Sequence, residues 1–237
     1  MFLADVHSHI LYGVDDGAKS KAVMYQMLDS AYSNGVRALC VTPHYNPELF
    51  DYNPEAEDKA FEELTAYSKE KYPDLMLHRW NEVYVFSGIP SFVNESRRGL
   101  FATNKKLLVE FSVNATLPDI AETVSGLTSL GYESVLAHIE RYKKINLKNV
   151  AQLRSLGATV TVNAESVIGK NGWRTKLRVG RLIKRGLASI VSSDAHIPSA
   201  YESFSQAYKL VLDKHGEAVA AQLFWLNANK LFIKENE

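Results

Sequence analysis

Seven short apolar runs, at residues 2–6, 38–42, 75–80, 106–111, 134–137, 159–163 and 188–192, alternate with helical patterns along this 237-residue chain. Few folds accept that alternation. Short strands separated by helices predict a parallel sheet with right-handed crossovers, its face covered by the helices. Ser20 caps a helix over 21–34, with Val23, Met27, Leu28 and Ala31 on one face and Gly35 at its end. Further helices are expected at 54–71, from Pro118 to Gly131, at 149–156 and at 176–185. Two more follow at 201–214 and 217–226, with Asn227 capping a last turn. Seven strand–helix units instead of eight predict an α/β fold of one kind, a distorted (β/α)7 TIM-like barrel. Such barrels run to about 250 residues, so residues 1–237 are read as a single domain.

The residues that end the runs carry the chemistry. His7 and His9, two apart after the first run, project to one side and can grip one ion. His44, Glu82, Glu110 and His138 follow the second to fifth runs, and Asp194 and His196 follow the seventh. Asp16 lies on the first loop. Active sites of parallel barrels sit at this carboxyl-terminal rim, and so many donors exceed what one ion takes. Mixed imidazole and carboxylate donors suit manganese, iron, zinc, magnesium or cobalt and not a thiolate-seeking metal. Two or three divalent ions ~3.5–4 Å apart acidify water and stabilise an in-line displacement, which implies hydrolysis, most naturally of a phosphate ester. Arg141, three residues past His138, offers a guanidinium fork that matches phosphoryl oxygens. Asp16, His44 and His196 are the candidate proton donors, with the choice among them open. Glu140 and Glu165 are the alternative partners for Arg141, as a rim salt bridge.

Lys+Arg and Asp+Glu each total 27, so no net charge draws the chain to nucleic acid or an anionic membrane. The one cysteine, Cys40, sits in an apolar run, which suits a reducing compartment. A Cys-x5-Arg phosphate loop is excluded, because position 46 is Asn46. No apolar stretch approaches the ~20 residues that span a bilayer. The expectation is a soluble cytoplasmic protein with no membrane insertion. Arg174, Arg178, Arg181 and Arg185 fall on one face of the helix predicted around 173–185. That face is read as solvated, or alternatively as a docking surface for an acidic or phosphorylated tail.

The segments Asp-Val-His-Ser-His-Ile (5–10), Val-Asp-Asp-Gly-Ala (14–18), Thr-Pro-His (42–44) and Asn-Glu-Val-Tyr (81–84) form an ordered set. Val-Glu-Phe-Ser (109–112), Ala-His-Ile-Glu-Arg-Tyr (137–142) and Ser-Asp-Ala-His (193–196) complete it. The set resembles the PHP, or polymerase and histidinol phosphatase, superfamily. More narrowly it is similar to the bacterial metal-dependent protein-tyrosine phosphatases of capsule and exopolysaccharide operons. The resemblance implies a trinuclear, usually manganese-bearing site that removes phosphate from the tyrosine-rich tail of a membrane-associated tyrosine kinase. Carried over by position, His7, His9, Glu82 and Asp194 would hold one ion, and Glu82, Glu110 and His138 a second. Asp16, His44 and His196 would hold a third, Arg141 would bind the phosphoryl group, and the chain could form a homo-oligomer. The sequence departs from the pattern after His196, where no basic residue appears before Lys209, and at Trp80, where a glycine is common. The alternatives are a small-molecule phosphatase acting on histidinol phosphate or a nucleotide, and a catalytically weak metal-binding regulator that docks on a kinase.

Overall fold

The computed structural model describes residues 2–46, 48–49, 52–86, 89 and 105–232. The first half runs β1 (Leu3–Asp5), α1 (Lys21–Ser33), β2 (Val36–Val41), β3 (His44–Tyr45), α2 (Pro54–Lys71), β4 (Met76–Arg79), β5 (Glu82–Tyr84) and β6 (Lys106–Glu110). Then come α3 (Leu117–Ser129), β7 (Glu133–Leu136), α4 (Leu147–Ser155), β8 (Thr159–Asn163) and α5 (Ala164–Ile168). The chain finishes with α6 (Trp173–Lys184), β9 (Ile190–Ser192), α7 (Ala200–His215), α8 (Glu217–Ala221) and α9 (Asn227–Phe232). All strand pairs are parallel.

Among the described residues nine strands make seven staves, because two of the staves are broken. Proline has no N–H to give a ladder, and Pro43 separates β2 from β3. The neighbouring stave is interrupted at Trp80-Asn81, between β4 and β5. Trp80 N–H donates to Val41 O at 2.9 Å and Glu82 N–H to Pro43 O at 3.1 Å, so the two breaks lie side by side. The register beyond them sets His44 directly against Glu82. A matched pair of breaks thus brings two site residues together.

Among the described residues no ladder joins β1 to β9. The barrel closes above them instead, at the rim, where Ser8 bridges Ala195. His9 N–H donates to Ala195 O at 2.9 Å and Asp194 N–H to His7 O at 3.0 Å. Below the bridge the buried carboxylate of Asp5 accepts from the Ser193 N–H at 2.9 Å and from its hydroxyl. Tyr201 of α7 braces the seam from outside, its hydroxyl 2.7 Å from Ser8 Oγ.

Small side chains fill the barrel: Ala4, Val6, Ala38, Cys40, Leu108, Val135, Ala137 and Ile190 pack together around Trp80. Trp80, 5% exposed, occupies that interior beneath the rim, so its bulk is absorbed by the core. The larger apolar layer lies between the strands and the outer helices. Ala228 and Leu231 of α9 close the barrel floor, and Phe232 stacks on His78 at 4.1 Å. This corrects the expectation for Asn227. A π turn over residues 222–226 carries α8 into α9 as one helical run, and Asn227 is helical, not a cap. Its side-chain amide donates to Ser189 O at 2.7 Å, pinning the floor beside β9. Burying the floor side chains outweighs the local preference of Asn for a cap.

One helix start also differs from expectation. Asn146 and Asn149 cap each other reciprocally, so α4 begins at Leu147, with Asn149 inside its first turn. α6 begins at Trp173, as does the helix read around 173–185, and α5 before it is not expected from the sequence. The five residues of α5 are too few to show a helical period. Among the described residues no helix is long and apolar enough to cross a membrane.

Candidate metal centre

The carboxyl ends of the staves bring all nine candidate donors to one rim. His7 Nε2 lies 3.0 Å from Glu82 Oε2 and 3.4 Å from Asp194 Oδ1. His9 Nε2 lies 3.2 and 3.5 Å from the same two oxygens, and 3.0 Å from His7 Nε2. The other Glu82 oxygen faces His138 Nε2 at 3.0 Å, and Glu110 Oε1 is 3.4 Å from that nitrogen. His44 stands between groups, with Nδ1 3.2 Å from Glu82 and Nε2 3.6 Å from Asp16. Asp16 also meets His196 Nε2 at 3.2 Å. Donors ~2.1 Å from an ion are ~3.0 Å apart at octahedral edges and ~3.4 Å at tetrahedral ones. The observed separations have that size. Four overlapping groups can therefore hold an ion: His9/Asp16/His44/His196, His7/His9/Asp194, His7/Glu82/His138 and His44/Glu82/Glu110. The overlap goes beyond the single shared Glu82 of the expected sets, since His9 joins the Asp16 group and His44 the Glu110 group.

Electrostatics ask for cations at this rim. Asp15 Oδ2 is 2.7 Å from His9 Nδ1 and orients the ring so that Nε2 faces Glu82 and Asp194, the nitrogen that an ion there would take. Burial would lower the His9 pKa, but its bonds to Asp15, Asp194 and Glu82 hold it well above the usual histidine value. Burial would likewise raise Glu82, yet the surrounding histidines hold it well below the carboxylate range. Glu110 goes the other way. Burial and the neighbouring Glu82 charge push it up to about 7, against His138 and Arg141. Two donors sit on strained backbone: His138 (φ 30) and Asp194 (φ 53) are left-handed, a conformation that costs of order 1 kcal/mol each. Ladder and side-chain bonds impose it, including His138 N–H to Thr161 Oγ1 at 3.1 Å.

Arg141 follows His138 in a 3-10 turn, Ile139–Arg141. Its guanidinium, half exposed, lies 3.9 Å from Glu110 and 3.8 Å from Asp194. The alternative partners Glu140 and Glu165 are engaged elsewhere: Glu140 Oε1 accepts from Asn163 N–H at 2.9 Å, and Glu165 pairs with Lys170. A cavity of about 580 Å³ opens beside the cluster, between Arg141, Asp194 and His196 on one side and Asn171, Thr175 and Arg178 on the other. The four-arginine face of α6 is not uniform. Arg174, Arg181 and Arg185 are exposed, but Arg178 turns inward. Two contributors were not among the nine candidate donors. Asn163 ends β8, the sixth stave and the one without a ligand-type residue, and donates to Asp194 Oδ2 at 2.6 Å. The signal was its position at a strand end. Asp15, next to Asp16 on the first loop, anchors His9 and also accepts from His44 N–H at 3.1 Å.

Comparison with known proteins adds an independent line. Residues 3–233 match the family described as capsular polysaccharide synthesis, CpsB/CapC. The chain is 29% identical over 241 residues to the tyrosine-protein phosphatase CpsB of Streptococcus pneumoniae, covering 98% of this chain and 99% of that protein. It is 30% identical over 218 residues to the tyrosine-protein phosphatase YwqE of Bacillus subtilis, covering 90% and 84%. A crystal structure from the YwqE and CpsB pair, described as unique metal-dependent tyrosine phosphatases, superimposes with a TM-score of 0.81 at 26% identity, over 93% of this chain and 90% of that one.

Proposed function

We propose, from the premise that the chain belongs to the capsular polysaccharide synthesis family CpsB/CapC, that it is a metal-dependent tyrosine-protein phosphatase. The observation that carries the reading is a cluster of imidazole and carboxylate donors at coordination spacing, with a guanidinium 3.8 Å from its edge. In this proposal His7, His9, Glu82 and Asp194 hold one ion. Glu82, Glu110 and His138 hold a second. Asp16, His44 and His196 hold a third, with His9 and His44 reaching across the sets. Three ions, manganese foremost, fit the hard oxygen and imidazole donors. When bound, such ions activate water and neutralise charge on the phosphoryl oxygens.

The chain's own side chains do the rest. Arg141 presents paired N–H donors to the phosphoryl oxygens, which are short of positive partners on the cavity side. Asn163 and the seam fix Asp194, and Asp15 fixes His9. The leaving phenolate has a conjugate-acid pKa of about 10, so no strong acid is required of the protein. That accords with His44, which burial holds below the usual histidine value. The finer reading is that the substrate is the phosphorylated tail of a membrane-associated tyrosine kinase, met in the cytoplasm. An open cavity of about 580 Å³, wider than one side chain needs, supports a peptide as the occupant.

The test is turnover of a phosphotyrosine peptide and of histidinol phosphate at equal concentration, with manganese and with chelator. We expect chelator-sensitive hydrolysis that favours the peptide. Arg141→Ala should lower kcat/KM by about 10²–10³ while metal per chain stays unchanged. Faster turnover of histidinol phosphate would overturn the protein substrate, and no hydrolysis of either would overturn the enzyme.

A further inference from the structure

Arg178 lies on α6, across the cavity from the metal cluster, and is half-buried with no carboxylate within ion-pair distance among the described residues. Its guanidinium is instead spent on main-chain carbonyls. Nη1 donates to Glu140 O at 3.1 Å and to Tyr142 O at 3.0 Å. Nη2 donates to Ile139 O at 3.2 Å and to Ile145 O. All four oxygens belong to residues 139–145, the segment that leaves the strained His138 and carries Arg141. Both terminal nitrogens are fully used, so only Nε–H of the five donors remains. Arg178 is therefore unable to fork onto a phosphate although it lines the cavity.

We infer that Arg178 is the positioning residue for Arg141, holding by four carbonyls the turn that aims the phosphoryl-binding guanidinium. This rests on the reading of Arg141 given above. The geometry explains why an arginine is needed. Four carbonyls converging on one point would leave their partial negative charge facing the cavity that takes an anion, and a turn of three residues has no helix of its own to absorb it. A planar fork spans oxygens spread over seven residues, whereas the compact ammonium of lysine reaches only some of them. Few other contacts restrain Arg141. Its own ion pairs are long, at 3.8 and 3.9 Å, so its direction depends on the main chain beneath it.

The test uses inorganic phosphate as the probe, titrated calorimetrically into the manganese-loaded full chain. The variants are Arg178→Lys, which keeps charge and stem, Arg141→Ala, and the double variant. Melting temperature and metal per chain are followed in each, and Arg178→Gln is a second variant should the lysine one fold poorly. We expect Arg178→Lys to weaken phosphate binding about tenfold, and to add nothing once Arg141 is gone, because residues acting through one another are not additive. Unchanged phosphate affinity in Arg178→Lys, with Arg141→Ala impaired, overturns the positioning role. Losses that multiply in the double variant also overturn it, since they mark general destabilisation. If Arg141→Ala itself binds phosphate normally, the reading of Arg141 fails and this inference falls with it.

Discussion

At the scale of single residues, the first loop shows how little slack the site has. A Cβ placed on Gly17 would lie 1.9 Å from His9 O and 2.7 Å from His9 Cβ. The obstruction is backbone, so a rotamer change cannot relieve it. Gly17 must also keep its N–H on Asp15 Oδ1 at 2.9 Å, in the same turn that aims the other Asp15 oxygen at His9. Gly17→Ala should therefore displace His9 and Asp16 together. We expect elemental analysis to find fewer ions per chain and the hydrolysis rate to fall about 10²-fold, the usual consequence of an ångström of misplacement. A full metal complement with normal turnover would show that the loop yields more easily than its contacts suggest. The same loop marks the limit of sequence reading. Nine donors were legible because each follows an apolar run or a loop of unusual acidity. The roles of Asn163, Arg178 and Gly17 were not, because they act through a main-chain atom or a residue far away in sequence.

At the scale of elements, the Asp29 carboxylate of α1 gathers several donors from the C-terminal end of α2. Asp29 accepts from Tyr67 at 2.9 Å, from Tyr72 at 2.8 Å and from Lys71 at 2.9 Å, while Tyr25 stacks on Tyr67 and Tyr32 on Tyr72. Burial would raise Asp29, but Lys71 and the two tyrosines hold it below its ordinary 3.8. A carboxylate whose folded pKa is depressed stabilises fully above its unfolded value, and that contribution fades as pH falls through the lower folded one. The pair is partly exposed and screened, so its worth is at most about 1 kcal/mol. Asp29→Asn should lower the melting temperature by about 2–4 °C at pH 7, and the gap should close on acidification below pH 4. A gap that persists or widens in acid would mean the carboxylate's charge is not what joins the helices. The helix periods themselves were legible, as at α1 and α2, whose capping residues are Ser20 and Asn53. Boundaries failed where capping ran both ways, at Asn146 and Asn149. The stave breaks at Thr42-Pro43 and Trp80-Asn81 were hidden because their effect depends on lying side by side, a relation between strands that neither run contains.

At the scale of the molecule, the weakest line of the barrel and the metal centre coincide. Among the described residues β1 and β9 are tied only at the rim and through Asp5, and the donors divide across that line, His7 and His9 on one side, Asp194 and His196 on the other. Without cations the carboxylates of Glu82 and Asp194 are balanced by the histidines around them, which hold both well below the usual carboxylate range against their burial. Ions bound across the line would replace those imidazole–carboxylate pairs with a shared centre, and only the folded chain assembles the donors. Ligand at a hundredfold excess over its Kd adds ~2.7 kcal/mol of stability. For a chain of this length that corresponds to a rise in melting temperature of about 5–10 °C, reversed by chelator. Location distinguishes this from stabilisation in general. The N–H groups of His9 and Asp194 make the seam bonds, at 2.9 and 3.0 Å, and their exchange with solvent reads seam opening directly. Manganese should slow exchange at these two amides more than at Leu108 or Val135, in staves far from the line. Equal slowing everywhere would place the metal's effect on global unfolding, and no slowing at His9 and Asp194 would mean the ions do not close the barrel at all.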